Sequence, residues 1–379
     1  MSKGEDCCCG PAAKNDIKYI EVGEYSISRG PDSEGGCCCA AANSSVVPGV
    51  GFNWKLSDKM GEIAVRLGFK RMDYAIAPGL YAVGKPDENS PVLVSANYKL
   101  SFDVLRRDAK IDAWVLVIDT KGVNVWCAAG KGTFCDAEII KRIIETKLDM
   151  VVTHKNIILP LLSAPGVAAH EIRRQTGFKA VFGPVEARDI KKFIDNGMEN
   201  DTAMKTVEFT IWRRVEVSWL ELVMAMDKLF WPMIAVIVLS GISSRGFVLY
   251  DAVYRGMFYL YAALTGMVSG TVLFSMLLPA LPGRYFSVKG IFSGLLGSIF
   301  FVLLSGVLAA PYMYLRLPAS VIIIISIASF TAMNYTGCTT FTSISGVKKE
   351  VKDSIGFITA GGIISVLLII TEMIMRVII

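Results

Sequence analysis

The sequence predicts a Rossmann-like α/β domain with a cap helix, followed by an all-α domain of five transmembrane helices. Three observations predict it. The charge is divided unevenly: residues 1–228 hold 30 Lys+Arg and 30 Asp+Glu, whereas 229–379 hold only 9 and 4. Between 111 and 215, short apolar runs of strand character alternate with helix-compatible segments, the pattern of a doubly wound sheet. After 228 come five charge-poor stretches, 229–244, 256–283, 290–315, 317–347 and 354–371, and a helical span needs about 20 apolar residues.

Composition narrows the class further. Of the 379 residues 53% are hydrophobic, and the mean hydropathy of +0.48 is too high for an ordinary soluble protein. The net charge of +5 resides wholly in the apolar second half, so it is no footprint of nucleic acid. The start, Met-Ser-Lys-Gly-Glu-Asp, is polar and acidic and does not read as a secretory signal. Nine cysteines, six of them in two adjacent triplets, make a poor disulfide framework and suit a reducing cytosol with free or metal-bound thiols.

Residues 1–50 read as a Cys-rich flexible leader. Cys7, Cys8, Cys9, Cys37, Cys38 and Cys39 sit among Gly, Pro, Ser and Asn, with one candidate strand at 17–27. Thiolates select soft cations. Two readings stand: capture of a thiophilic ion such as Hg(II), or a solvated tail. Residues 51–215 read as the α/β domain. Its first helix candidate, 56–67, is amphipathic, with apolar Leu56, Met60, Ile63, Ala64 and Leu67. Expected strands are 92–94, 113–118, 150–152 with 157–159, 180–182 and 206–210. Expected helices are 102–107, 127–129, 136–146, 168–175 and 187–196.

The most informative stretch is Asn124-Val125-Trp126-Cys127-Ala128-Ala129-Gly130-Lys131. It follows the apolar run 113–118 and a turn, Asp119-Thr120-Lys121-Gly122. Asn124 is a good N-cap, which places Cys127 in the first turn of a short helix, with Lys131 one turn on. The helix dipole and the lysine both favour thiolate. A thiolate there is a soft metal ligand or a nucleophile; a lone Cys in such a turn is otherwise a small buried residue.

All eight positions match the cap-helix signature of the HgcA family, the corrinoid proteins of microbial mercury methylation, which this octet closely resembles. The resemblance implies that Cys127 is the lower axial ligand to the cobalt of a cobalamin-type corrinoid. Two further stretches resemble the corrinoid domain of the corrinoid iron–sulfur protein of acetyl-CoA synthesis: Pro91-Val92-Leu93-Val94-Ser95-Ala96-Asn97-Tyr98 and Ile157-Ile158-Leu159-Pro160-Leu161-Leu162-Ser163-Ala164-Pro165-Gly166-Val167, continuing at Phe182-Gly183-Pro184. The resemblance covers roughly 75–200. It implies a corrinoid site made of the octet with Thr120, Thr153, His154, Leu159, Ala164, Gly166, Val167, Gly183 and Pro184. Gly166 and Gly183 would allow close approach to a flat macrocycle. Only two histidines exist, His154 and His170, and neither lies in an Asp-x-His-x-x-Gly pattern, so a sulfur ligand is favoured. His170 reads as structural, and Cys135 as a buried thiol.

Residues 216–228 read as a juxtamembrane linker and 229–379 as the membrane domain. With the α/β domain inside, Arg213, Arg214, Lys228, Arg284, Lys289, Lys348, Lys349 and Lys352 fall on the inner side, against Arg245, Arg255, Arg316 and Arg376 outside. The excess predicts a cytoplasmic amino half in a multi-pass inner-membrane protein, with the carboxyl terminus outside. Glu372 and Arg376 read as an intramembrane i,i+4 pair, and no proton relay is visible. The polar segment 334–340, with Cys338, reads as helix packing.

The resemblance implies an enzyme, a corrinoid-dependent methyltransferase that passes a methyl group from methyl-cobalt(III) to Hg(II), giving methylmercury. It implies a methyl-folate pathway as donor and a ferredoxin-like iron–sulfur partner (HgcB-type) as reductant, since the chain has no Cys-x-x-Cys-x-x-Cys run. Two alternatives stay open: methyl transfer to another acceptor in one-carbon metabolism, and a non-enzymatic soft-metal binding or transport protein.

Overall fold

The computed structural model describes residues 19–23, 25–29, 45–69, 71–243, 246–335 and 344–378. The six triplet cysteines and Cys338 lie outside these residues. The chain divides into two units, Met1–Val207 and Glu208–Ile379.

The first unit is built on a seven-stranded mixed sheet. Its strands are β1 (Tyr25–Arg29), β2 (Ser45–Val50), β3 (Gly79–Val83), β4 (Val92–Ala96), β5 (Ala113–Ile118), β6 (Asn156–Leu159) and β7 (Lys179–Phe182), in the spatial order β1-β2-β3-β5-β4-β6-β7. β5, β4, β6 and β7 are mutually parallel. They read as unbroken apolar runs because helices cover both faces, and every residue of β4 and β5 is buried. β3 joins antiparallel to β5, pairing Gly79 with Val117 and Val83 with Ala113. The helices are α1 (Leu56–Arg66), α2 (Lys99–Ala109), α3 (Val125–Lys131), α4 (Asp136–Glu145), α5 (Ala169–Thr176) and α6 (Ile190–Asp195).

Several expectations need correction. The leader does not run to residue 50: β2 pairs with β3, Gly49 opposite Ala82, and β1 pairs antiparallel with β2. Residues 150–152 form no strand. A 3-10 turn at Leu148–Met150 follows Lys147, whose φ of 49° is left-handed, and β6 begins only at Asn156. Residues 206–210 are not a strand either; they are largely exposed and lead straight into a helix. The apolar face of α1 points outward. The helix expected at 56–67 forms, and Leu56, Met60 and Ile63 on it are 76%, 61% and 52% exposed.

The reason is ionic. Asp58 on α1 receives Lys99 Nζ at 2.7 Å and Arg106 Nη2 at 2.8 Å from α2. Arg106 also bonds Asp103 at 2.9 Å and the carbonyls of Gly51 and Asn53 at 2.7 and 3.0 Å. Lys99, Asp103 and Arg106 are buried. Two cations and two carboxylates thus neutralise one another under α1, and desolvated charges that have such partners hold their position firmly.

The second unit contains five helices long and apolar enough to cross a membrane. They are α7 (Ile211–Ser240), α8 (Leu249–Val268) continued by a π turn and α9 (Phe274–Leu277), α10 (Phe286–Ser305), α11 (Met313–Asn334) and α12 (Ile344–Ile378). A two-strand hairpin, β8 (Ile242–Ser243) with β9 (Gly246–Phe247), follows α7. The expected linker 216–228 is helical and continuous with the first apolar stretch. The expected third stretch breaks at Gly306, whose φ of 65° ends α10.

Small residues let α8, α10 and α11 approach at backbone distance. A Cβ on Gly290 would lie 2.7 Å from Ser329 Cα and 2.8 Å from Ala328 O, and one on Gly270 would lie 2.3 Å from Ala328 O. Gly290→Ala is therefore expected to destabilise the helical unit by about 1–3 kcal/mol, read as a lower midpoint of thermal unfolding in detergent. The pair of Glu372 with Arg376 forms at 2.7 Å, and Arg316 joins it at 2.6 Å. The Tyr259 hydroxyl donates to the other oxygen of the same carboxylate.

Candidate functional site

The octet forms α3 beyond the carboxyl end of β5, where open α/β sheets hold their ligands. Asn124 has extended backbone (φ −64°, ψ 160°), and its Oδ1 accepts from the Cys127 amide at 3.0 Å. This N-cap bond fixes the backbone that carries the thiol. Gly132, at φ 76°, closes the helix. Ala128 and Ala129 face the core, whereas Trp126, Gly130 and Lys131 are exposed. Cys127 is half-buried, with a free thiol. Cys135 is a buried thiol at the head of α4.

The turn before α3 is pinned by a residue to which the sequence reading assigned no role. Asn97, fully buried at the end of β4, accepts through Oδ1 from Thr120 N (3.1 Å), Thr120 Oγ1 (2.8 Å) and Gly122 N (3.0 Å). Its Nδ2 donates to Asp119 Oδ1 at 3.2 Å. Burial raises the Asp119 carboxyl, but the Lys121 side chain and amide outweigh it and hold Asp119 below the usual carboxylate range. Thr120 is therefore spent inside this network, its single hydroxyl proton shared between Asn97 Oδ1 and Val123 O, the latter at 2.6 Å. Asn97→Ala removes the acceptor of the Thr120 and Gly122 amides. Amide exchange across 119–131 is expected to quicken by at least about tenfold, since each buried orphan donor costs about 1–3 kcal/mol.

A cavity of about 330 Å³ opens beside α3, at the carboxyl ends of β4, β6 and β7. Its walls are mainly apolar: Leu93, Val104, Leu105, Leu159, Pro160, Leu162 and Pro184, with Ser95, Asn124 and Glu186 among the polar groups. Asn124, Val125, Trp126, Leu159, Gly183 and Pro184 are thus brought to one cleft. Gly183 is needed there, because a Cβ would lie 2.8 Å from Ile158 Cγ2.

Other expected contacts lie elsewhere. Thr153 and His154 precede β6, at the amino edge of the parallel strands and so at the opposite end of the sheet from Cys127. Thr153 Oγ1 donates to Asn89 Oδ1 at 2.8 Å. His154 Nδ1 accepts from Asn156 N at 3.3 Å, leaving Nε2 to donate to Ser90 O at 2.9 Å. Both tie two loops together. Gly166 is closely packed against protein: a Cβ would lie 2.6 Å from Phe134 O and 3.0 Å from Ala129 O. It lets the 3-10 segment Leu161–Gly166 pack on α3. Within that stretch Ala164 is exposed, and Val167, just after it, joins the core. His170 is exposed on α5.

Residues 70–194 match the family described as CO dehydrogenase/acetyl-CoA synthase delta subunit. This segment carries β3 to β7, α3 and the cleft. Over 123 residues the chain is 33% identical to the acetyl-CoA decarbonylase/synthase complex subunit gamma of Methanopyrus kandleri, which covers 32% of this chain and 26% of that protein. It is 35% identical over 132 residues to the same subunit of Methanocaldococcus jannaschii, 34% of this chain and 27% of that one. The chain spans about a quarter of the length of these relatives.

Proposed function

We propose that the α/β unit binds a corrinoid through Cys127 and that the protein transfers a methyl group to Hg(II), giving methylmercury. The observation that carries this reading is the placement of Cys127: a half-buried free thiol on a capped helix, directly after Asn124, Val125 and Trp126, which line an apolar cleft at the carboxyl edge of the sheet, although Cys127 itself is not in the cleft wall. The similarity of 70–194 to the acetyl-CoA synthase and decarbonylase subunits supports the corrinoid class, and the octet supports Hg(II) as acceptor. The residues present suit such a group in their chemistry: a soft sulfur donor follows directly on the helix residues that line a mainly apolar cleft. A corrinoid bound there would supply a cobalt-held methyl group, and Cys127 would hold it.

The chain's own residues then act as a seat. Asn124 and the Asn97 network hold the backbone that carries the thiol, and Trp126, Leu159, Gly183 and Pro184 line the cleft. Hg(II) is the substrate, and Cys7, Cys8, Cys9, Cys37, Cys38 and Cys39 are proposed to deliver it. A methyl-folate donor and a ferredoxin-like reductant complete the cycle. The α/β unit faces the cytoplasm from the inner membrane, with the carboxyl terminus outside. A second reading, methyl transfer to an acceptor of one-carbon metabolism, is favoured by the similarity to acetyl-CoA decarbonylase/synthase subunits.

The test is the anaerobic ultraviolet–visible spectrum of the full chain in detergent with methylcobalamin, beside Cys127→Ala. A bound corrinoid whose bands shift on losing Cys127 supports thiolate ligation. Absence of binding overturns the proposal, and identical spectra overturn Cys127 as the ligand. Methylmercury formed from added Hg(II) separates the first reading from the second.

A further inference from the structure

We propose that the outward face of α1 docks on an anionic bilayer surface. Leu56, Met60 and Ile63 recur at i, i+4 and i+7, so they form one apolar stripe. The ionic network with α2 locks that stripe outward, because Asp58 can reach Lys99 and Arg106 only with the opposite face turned in. The stripe is thus a fixed feature of the folded unit. An amphipathic helix with an apolar stripe and basic flanks lies in a membrane interface.

The surroundings supply those flanks. Lys55, Lys59 and Lys110 are exposed beside the stripe, and an open concavity of about 860 Å³ next to it is lined by Trp54, Lys59 and Lys110 among others. Basic groups at an interface favour anionic lipid, and Trp suits the headgroup level. A bilayer is also within reach by chain length, since only residues 208–210 separate this unit from α7, an apolar helix able to cross a membrane. An acidic protein would satisfy the lysines but leaves the tether without a role, so the observations favour lipid. The inference does not depend on what the cleft binds.

Met60 is its own reporter, for an exposed methionine oxidises to the sulfoxide and a lipid-covered one is shielded. Met150, 77% exposed in the same unit, is the internal control. The full chain is placed in nanodiscs of phosphatidylcholine, in nanodiscs containing phosphatidylglycerol and in detergent, and oxidised briefly with hydrogen peroxide. Peptide mass spectrometry reads the Met60-to-Met150 ratio. In the anionic discs the ratio is expected to fall at least about tenfold relative to the zwitterionic discs, because basic groups near an anionic surface strengthen docking. It is expected to recover in the Lys55→Gln/Lys59→Gln/Lys110→Gln variant and in Leu56→Asp/Ile63→Asp, both of which change exposed side chains only. An equal ratio in the two disc types overturns the proposal. Protection that persists in detergent also overturns it, because the stripe is then covered by protein.

Discussion

Cys127→Ala is expected to abolish methyl transfer to Hg(II) while leaving the fold intact. The thiol is half-buried and free, and its helix is held by Asn124, by Gly132 and by Gly166 packing, none of which uses the sulfur. Ala is the best helix former, so the variant loses a ligand without losing the helix. Changes in residues that merely support a metal ligand cost about ten- to a hundredfold in affinity or activity, so loss of the ligand itself should exceed about a hundredfold. Methylmercury yield per mole of folded protein measures it, with amide exchange across 119–131 as the folding control. Retention of more than a tenth of wild-type yield would remove Cys127 from the chemistry. Trp126→Ala should preserve the ligand and change only the shielding of the cleft mouth.

Arg106→Ala is expected to be the most destabilising single change in the α/β unit. It leaves Asp103 buried with one cation in place of two, and it strips the carbonyls of Gly51 and Asn53 of a donor. Breaking a buried charge network from one side costs about 3–5 kcal/mol, a large share of a domain's stability. Amide exchange of α1 and α2 should rise together, because Asp58 joins them through the same guanidinium. A variant in which α2 loosens and α1 does not would show that Lys99 alone suffices. The comparison is best made by exchange, since a chain of two units does not unfold in one step.

Much of this was legible in the sequence, and the exceptions share a cause. The parallel strands announced themselves because burial on both faces demands an unbroken apolar run, as in Ala-Trp-Val-Leu-Val-Ile. Asn124 was readable as a cap because capping is local. What escaped was long-range. Asn97 acts on residues more than 20 positions away, and nothing around it marks the three donors it gathers. Thr153 and His154 sit close to β6 in sequence, yet the direction of the strand puts them at the wrong edge. The apolar residues of α1 were readable as one face, but hydrophobic spacing shows which residues share a face, not which face is buried. The decision lay with Asp58 on α1 and its partners on α2, Lys99 and Arg106, with Asp103 beside them. In the helical unit Arg316 was counted with the outer flank, and only packing shows that it shares a carboxylate with Arg376.

The close approach of α8, α10 and α11 has a consequence for how this part of the chain can diverge over evolutionary time. About half of the apolar window is buried inside the protein for α8 and α11, but only 11% for α7 and 17% for α12. Substitution in the inner helices is limited by size: at Gly270, Gly290 or Gly294 even one added carbon meets a neighbouring helix. Substitution on the outward faces of α7 and α12 is limited mainly by hydropathy, since Leu, Ile, Val and Phe are interchangeable against lipid, but α12 must also keep Glu372, the partner of the buried Arg316. Descendants of this sequence should therefore keep their small residues in register along the three inner helices, and Glu372 on α12, while the outward positions of the two outer helices drift. A chimera that replaces the exposed apolar residues of α7 by those of an unrelated apolar helix should fold, whereas one that exchanges α11 should not.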